Sequence, residues 1–128
     1  MNSLYHAELI EHYKASPYRR VIAVPTVQFS DLNPSCGDKL TVMMLLENNI
    51  IVNIAFLGSG CVISQATMSM LCEQVDGKCL DDVLKLDGND VLGLINIELG
   101  PVRMKCATLG LQVVQQAIKT WQKEGILK

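Results

Sequence analysis

The sequence predicts an α+β fold in which a small antiparallel three-stranded sheet carries helices on one face. Two apolar runs of strand length, Lys39 to Glu47 and Ile50 to Leu57, are joined at Asn48-Asn49, a pair that tolerates the positive φ angles of a tight hairpin turn. After Cys61 the apolar residues recur at helical spacing, as they do again towards the end of the chain. No internal repeat or linker interrupts the sequence, so a single domain over residues 1–128 is expected.

A helix with one apolar face is expected at the start of the chain, from Ser3 to a stop at Ser16-Pro17. Serine is a favoured helix cap, and the residue before a proline disfavours helical backbone. His6 and His12 lie away from the apolar face or at its edge, so we expect them to face solvent rather than to bind a metal. The apolar face consists of Tyr5, Leu9 and Tyr13.

The other elements are predicted from breaks in the pattern. From Val21 to Asn33 the residues are β-branched and aromatic but are interrupted by Pro25, which favours an edge strand or an extended lead-in to the sheet. Asp87 to Asp90 forms a turn that can cap a short helix from Val91 to Ile97. Gly100-Pro101 then breaks the chain before the last helix.

Composition excludes several classes of function. A formal net charge of -2 and an isoelectric point near 5.6 leave no basic footprint, so the chain is not expected to bind nucleic acid. The N-terminus lacks the features of a signal peptide, and no apolar stretch reaches the roughly 18 residues of a membrane span, so a cytoplasmic location without membrane association is predicted. Five cysteines at wide spacing in a reducing compartment favour metal or sulfur chemistry over disulfides.

The segment Pro34-Ser35-Cys36-Gly37-Asp38 has the composition of half a metal site, because it places a soft thiolate and a hard carboxylate two residues apart. It directly precedes the first strand of the predicted hairpin. Gly58-Ser59-Gly60-Cys61 directly follows the second strand, so the two loops leave the hairpin at the same end. The hairpin alone is therefore expected to bring Cys36, Asp38 and Cys61 together.

A third thiol, Cys106, completes a set of four candidate ligands. Cys61 and Cys106 are each expected at the start of a helix, where free N–H groups and the positive end of the dipole favour thiolate over thiol. Lys105 adds positive charge beside Cys106. Structural roles are predicted for Cys72, on the helix after Cys61, and for Cys79, which stands where a capping serine or threonine is usual.

Several separated motifs resemble the U-type iron–sulfur cluster assembly proteins, the family of IscU, SufU and the N-terminal domain of NifU. In order, they are His12-Tyr13-Lys14 with Pro17, then Asn33-Pro34-Ser35-Cys36-Gly37-Asp38, then Gly60-Cys61, and finally Pro101-Val102-Arg103-Met104-Lys105-Cys106-Ala107-Thr108-Leu109. The resemblance covers nearly the whole chain. It implies a compact α+β domain that collects sulfur from a cysteine desulfurase and either assembles a cluster for recipient apo-proteins or passes the sulfur on.

The resemblance also implies the ligands. Cys36, Asp38, Cys61 and Cys106 correspond to the family residues that hold a two-iron cluster or zinc. The sulfur acceptor corresponds to Cys106 in the scaffold branch and more often to Cys61 in the SufU branch. The protein is then a non-enzymatic scaffold or, if it is an enzyme, a zinc-dependent sulfurtransferase; a structural zinc domain without sulfur chemistry is a third interpretation.

Three features distinguish this chain from one or the other of the two branches, IscU and SufU. Lys105 agrees with SufU, because IscU-like scaffolds carry there a histidine that can bind metal and a protonated lysine cannot. The segment between Cys61 and Cys106 lacks the insertion typical of SufU. Leu99-Gly100-Pro101-Val102 matches the chaperone motif of IscU only in part. The motif implies an Hsp70-type chaperone as a partner, and Gly100 in place of a proline disfavours that recognition.

Overall fold

The computed structural model describes residues 3–34, 37–95 and 99–127. The elements in chain order are α1 (Ser3–Lys14), β1 (Val27–Asn33), β2 (Asp38–Glu47), β3 (Ile50–Ser59), α2 (Val62–Val75), α3 (Leu80–Leu84), α4 (Gly88–Ile95) and α5 (Pro101–Leu127). The strands form one antiparallel sheet in the order β1-β2-β3. The predicted α+β fold with a three-stranded antiparallel sheet is therefore confirmed.

The predicted hairpin joins β2 and β3. Asn48 and Asn49 adopt φ angles of 53° and 63°, the left-handed conformation that a two-residue turn of type I′ requires and that asparagine tolerates. Lys39 pairs with Ser59 at the other end of the hairpin. The chain just before β2 and the chain just after β3 therefore lie side by side.

The sheet buries one face against helices, as predicted. Residues at every second position of β2, including Leu40, Val42 and Met44, are fully buried, and α5 lies against β1 and β2 while α2 lies against β3. The opposite face carries a hydrogen bond between the hydroxyls of Ser30 and Thr41, whose oxygens are 2.6 Å apart. This alternation follows from the two-residue period of a strand. Strand β1 is an edge strand, and Pro25 precedes it rather than interrupting it.

Helix α1 is attached to α2 through a polar contact. His12 Nδ1 lies 2.7 Å from Ser69 Oγ, and Ser16 Oγ lies 2.5 Å from the same oxygen. The His12 side chain is only 12% exposed, so the prediction that it faces solvent is wrong. The reason is that α2 is buried on almost every side and offers a hydroxyl partner, which the periodicity of α1 alone does not reveal. The predicted orientation of His6 concerns a side chain outside the described part of the chain.

Helix α4 begins at Gly88 rather than at Val91. Asp87 and Asp90 cap this start reciprocally, because each carboxylate accepts the backbone N–H of the other residue, at 3.1 Å for Asp87 Oδ1 and 2.8 Å for Asp90 Oδ2. The turn predicted at these residues is thus the first turn of the helix itself. Its last described residue is Ile95, and the predicted end at Ile97 lies outside the described residues. Over the ranges described, no helix has both the length and the apolar composition needed to cross a bilayer.

Candidate metal centre

Asp38 is the first residue of β2, and its side chain is completely buried. Its Oδ1 accepts the backbone N–H of Cys61 at 2.8 Å. This hydrogen bond joins the start of β2 to the chain that follows β3, where the hairpin register has already brought the two segments together. A buried carboxylate is costly unless it is hydrogen-bonded or binds a cation, so the position of Asp38 is consistent with a ligand.

Cys61 caps α2, as predicted from the sequence. Its backbone is extended, with φ -75° and ψ 161°, and its Sγ accepts the N–H of Ser64 at 3.5 Å. The Ser64 hydroxyl in turn donates to the Cys61 carbonyl oxygen at 3.1 Å. The thiol is half-buried, and its Sγ lies 3.6 Å from Oδ2 of Asp38. The structure thus fixes Cys61 through its sulfur, its N–H and its carbonyl.

Cys106 is not at a helix N-terminus, so this prediction is wrong. Helix α5 starts at Pro101, because proline is favoured at the first position of a helix, where its missing N–H costs nothing. Cys106 therefore lies in the second turn, beyond the free N–H groups of the first. The thiol is buried, with 2% exposure, and packs in an apolar cluster between α1, α2, α4 and α5. Lys105, which directly precedes Cys106 in the sequence, is exposed.

The three residues converge from three different elements. One ligand atom each of Asp38, Cys61 and Cys106 lies within 4.8 Å of the others. Two thiolates bound to one zinc ion at about 2.3 Å are roughly 3.8 Å apart, so a small movement of these side chains brings all three onto one ion. Two sulfurs and one carboxylate oxygen suit zinc or iron. Cys36 lies outside the described residues, two positions before Asp38 in sequence.

Gly60 allows Asp38 and Cys61 to approach each other. Its φ angle is +129°, which side chains rarely adopt, and a Cβ at this position would collide with Oδ1 of Asp38 and lie 2.8 Å from the Asp38 Cα. Glycine is therefore required by both the backbone conformation and the space.

The other described cysteines do not contribute to this group. Cys72 is fully buried in the main core, and Cys79 caps α3 by position but makes no hydrogen bond through its side chain. Burial raises the pKa of the Cys72 thiol far above its ordinary value of 9.0, with a further contribution from the negative charge of Asp76. Cys72 is therefore a packed, protonated core residue.

The raised pKa of Cys72 gives a testable dependence of stability on pH. The folded state keeps the thiol protonated, whereas the unfolded chain ionises near pH 9.0. The contribution of Cys72 to stability is thus complete below pH 9 and is lost as the pH rises, by up to about 1.4 kcal/mol per pH unit. Urea unfolding of the reduced wild type and of Cys72→Ala between pH 7 and pH 10.5 should show this extra slope in the wild type only. Equal slopes would contradict the burial of the thiol.

Comparison with known proteins identifies the family. The family model described as the NifU-like N-terminal domain matches residues 4–126. This protein belongs to that family. The match covers α1 to α5 and includes all four candidate ligands, and it agrees with the resemblance carried by the sequence motifs.

Individual relatives come from both branches of the family. The chain is 27% identical to the zinc-dependent sulfurtransferase SufU of Bacillus subtilis, over 92% of this chain and 91% of the relative. It is 31% identical to the iron–sulfur cluster assembly scaffold protein IscU of Streptococcus pyogenes, over 93% of this chain and 85% of the relative. Among solved structures, one from Fervidobacterium islandicum, described as an iron–sulfur cluster assembly scaffold protein for the SUF system, matches with a TM-score of 0.76 and 25% identity, covering 87% of this chain and 93% of that one.

A recess beside Cys61 was not predicted from the sequence. It has a volume of about 380 Å³, and we call it the basic recess. It is lined by Tyr13, Lys14, Arg19, Gly58, Ser59, Gly60 and Gln65. Tyr13 and Lys14 stand in a motif of the family resemblance, but only the fold shows that the end of α1 faces the glycine segment before Cys61.

Proposed function

We propose that this protein is an iron–sulfur cluster assembly scaffold. It accepts sulfur from a cysteine desulfurase and holds a nascent two-iron cluster for transfer to recipient apo-proteins. The ligands are Cys36, Asp38, Cys61 and Cys106. The observation that carries the proposal is the convergence of two thiols and one buried carboxylate, within 4.8 Å of one another, from three different elements. Membership of the NifU-like N-terminal domain family supports the same function.

Cys61 is the first sulfur acceptor in this scheme. It is half-buried and fixed at the start of a helix, whereas Cys106 is 2% exposed and lies behind it in an apolar cluster. The Cys61 thiolate attacks the outer sulfur of the persulfide on the desulfurase. A sulfur–sulfur bond forms on Cys61, the bond to the donor cysteine breaks, and the donor cysteine leaves as a thiolate. This transfer needs no external oxidant or reductant.

The ligand set explains why a cluster can be released as well as held. Three thiolates bind iron firmly, whereas a single carboxylate oxygen is a harder ligand with less affinity for the cluster. Asp38 therefore makes the site exchangeable. Conversion of the accepted sulfur to sulfide requires two electrons per sulfur, so assembly consumes an electron donor together with ferrous iron.

A zinc-dependent sulfurtransferase is the second candidate function. Lys105 favours it, because a histidine that can bind metal stands at this position in the IscU-like scaffolds that the sequence resembles, and the similarity to the zinc-dependent sulfurtransferase of Bacillus subtilis supports it. Zinc on the same four residues would hold the thiolates protected until one of them accepts sulfur. The missing insertion between Cys61 and Cys106 and the similarity to the Streptococcus scaffold favour the first candidate.

One reconstitution experiment separates the two candidates. The protein is incubated anaerobically with a cysteine desulfurase, ferrous iron, an equimolar amount of zinc, and excess cysteine as both the sulfur source and the electron donor. Iron, zinc, acid-labile sulfide and the visible spectrum are then measured. We expect iron and sulfide in matched amounts, with charge-transfer bands. Retained zinc, no cluster and faster turnover of the desulfurase would contradict the scaffold and identify a sulfurtransferase.

The remaining cysteines provide matched controls for the ligand set. Cys36→Ala, Cys61→Ala and Cys106→Ala are each expected to lose the bound cluster. Cys79→Ser is expected to retain it, because this residue caps α3 outside the site. Cys72→Ala should also retain the cluster, although it lowers the free energy of unfolding. Loss of the cluster in either control would refute the assignment of ligands.

A further inference from the structure

Two cationic side chains line the basic recess. They are Lys14, at the end of α1, and Arg19, and no acidic side chain of the described residues lines the recess. Neither cation has an ion-pair partner among residues 3–34, 37–95 and 99–127. The Arg19 guanidinium carbon lies 5.4 Å from the centre of the Phe56 ring, so stacking holds this side chain in place. The recess is therefore suited to a negatively charged ligand.

The recess also contains part of an open sheet edge. The segment after α1 covers the middle of β3, where the Phe56 N–H donates to the Tyr18 carbonyl oxygen at 2.9 Å. Because the outward groups of an antiparallel edge strand recur at every second residue, Gly58 also directs its N–H and carbonyl away from β2. The bridge between this segment and β3 is at Arg19 and Phe56, and Val21, which is 66% exposed, forms no bridge to the described strands. Gly58 thus offers a donor and an acceptor to an added strand.

A buried acceptor lies at the inner side of the recess. Gln65 is 3% exposed, and its Nε2 donates to Ser64 Oγ at 3.2 Å. Its Oε1 has no hydrogen-bond partner among the described residues. An unsatisfied buried acceptor costs about 1–3 kcal/mol, so a rotation of the Gln65 amide that presents this oxygen to a ligand N–H in the recess recovers that energy. Cations, an open edge and an amide acceptor together fit a peptide better than an inorganic anion.

We propose that the basic recess binds an extended acidic peptide segment of the sulfur-donor protein. The segment adds to the edge of β3 at Gly58 and directs its acidic side chains to Lys14 and Arg19. Cys61 is three residues beyond Gly58, within about 10 Å along an extended chain, so a persulfide on this segment comes close to the acceptor thiol. This inference rests on the proposed function, because it specifies how the sulfur donor is held.

The test uses the intact protein labelled with ¹⁵N and a short capped peptide of alternating valine and glutamate. We expect the peptide to shift the amide signal of Gly58 and to slow its hydrogen exchange at least about tenfold, because that N–H becomes bonded. The double variant Lys14→Glu, Arg19→Glu should weaken binding about tenfold or more. Binding to the wild type should weaken as salt is raised from 50 to 500 mM.

Matched controls separate this site from general charge effects and from loss of fold. Lys119→Glu changes an exposed lysine on α5 that does not line the recess, and it should leave peptide binding unchanged. A peptide with lysine in place of glutamate should not bind. Thermal unfolding of each variant verifies that it is folded. If the double glutamate variant is unstable, the double variant Lys14→Gln, Arg19→Gln takes its place, because it removes the two charges without reversing them.

The intact desulfurase gives the functional readout. Persulfide transfer to Cys61, followed by mass spectrometry, should slow about tenfold in the double variant, whereas cluster loading with chemically supplied iron and sulfide should equal the wild type. Equal binding of the lysine peptide, or unchanged transfer in the double variant, would overturn the docking site while the scaffold function stands. Failure of the wild type to load any cluster from chemical sulfide would instead refute the proposed function.

Discussion

Gly60→Ala is expected to abolish tight metal binding and to lower the free energy of unfolding by about 3 kcal/mol. The added Cβ would collide with Oδ1 of Asp38, and alanine at φ +129° is strained in any surroundings. Backbone strain of this kind costs of order 1–3 kcal/mol, and overpacking costs a similar amount. Relief of the clash displaces the backbone that carries Cys61 as well as the Asp38 side chain, so a thiol ligand is lost from the site together with the carboxylate. Competition with a chromophoric chelator measures the zinc affinity. Urea unfolding of the metal-free protein measures the free energy of unfolding.

Gly93→Ala is the matched control for this variant. Gly93 lies within α4 and is exposed, and apart from its own helix backbone no heavy atom of the described residues lies within 4 Å of an added Cβ. Alanine is favoured over glycine in a helix by about 0.8–1 kcal/mol, so this change should leave metal affinity unaltered and slightly stabilise the protein. Undiminished metal affinity in Gly60→Ala would show that the approach of Asp38 to Cys61 is not needed for the site.

Asp38→Ala is expected to slow cluster transfer to an apo-ferredoxin about tenfold, equivalent to roughly 1.4 kcal/mol of activation free energy. The variant removes the weak oxygen ligand through which the cluster leaves, so the bound cluster persists longer. It also leaves the buried N–H of Cys61 without its acceptor, which should lower the free energy of unfolding by about 1–3 kcal/mol. Circular dichroism follows the rate of cluster transfer, and urea unfolding gives the free energy of unfolding.

Asp38→Asn separates the two roles of the carboxylate. Its amide oxygen can still accept the Cys61 N–H, so stability should be largely restored. A neutral amide does not replace the carboxylate as a ligand to the cluster, so transfer should stay as slow as in Asp38→Ala. Transfer from Asp38→Ala at the wild-type rate would exclude Asp38 as the ligand that makes the cluster labile.

Much of the fold was predictable because local chemistry specified it. Asn48-Asn49 identified a turn that needs positive φ, and the turn then determined the register of β2 and β3. That register placed Asp38 beside the cap of α2, so two candidate ligands came together from an argument about a single hairpin. The helix after Cys61 was likewise evident from its period and its cap.

The errors arose where one sequence signal has two structural meanings. Gly100-Pro101 indicates a break in the sequence pattern, but proline equally begins a helix, and α5 starts at Pro101. The error placed Cys106 at a helix terminus when it is in the second turn. The period of α1 excludes His12 from the apolar face and so predicts that it faces solvent, whereas its hydrogen-bond partner, Ser69, belongs to another helix. The basic recess depends on α1, β3 and α2 at once, so no local pattern reports it.

The spacing of the site residues has a consequence for the order in which the chain assembles. Asp38 and Cys61 are 23 positions apart (61 minus 38) and are joined by a hairpin with a two-residue turn, whereas Cys106 is a further 45 positions away (106 minus 61). Closing the longer loop costs more chain entropy, and hairpins form within microseconds. We therefore expect the carboxylate and the first thiol to meet early during folding. The second thiol arrives only when α5 docks, so a complete ligand set is a late product of folding.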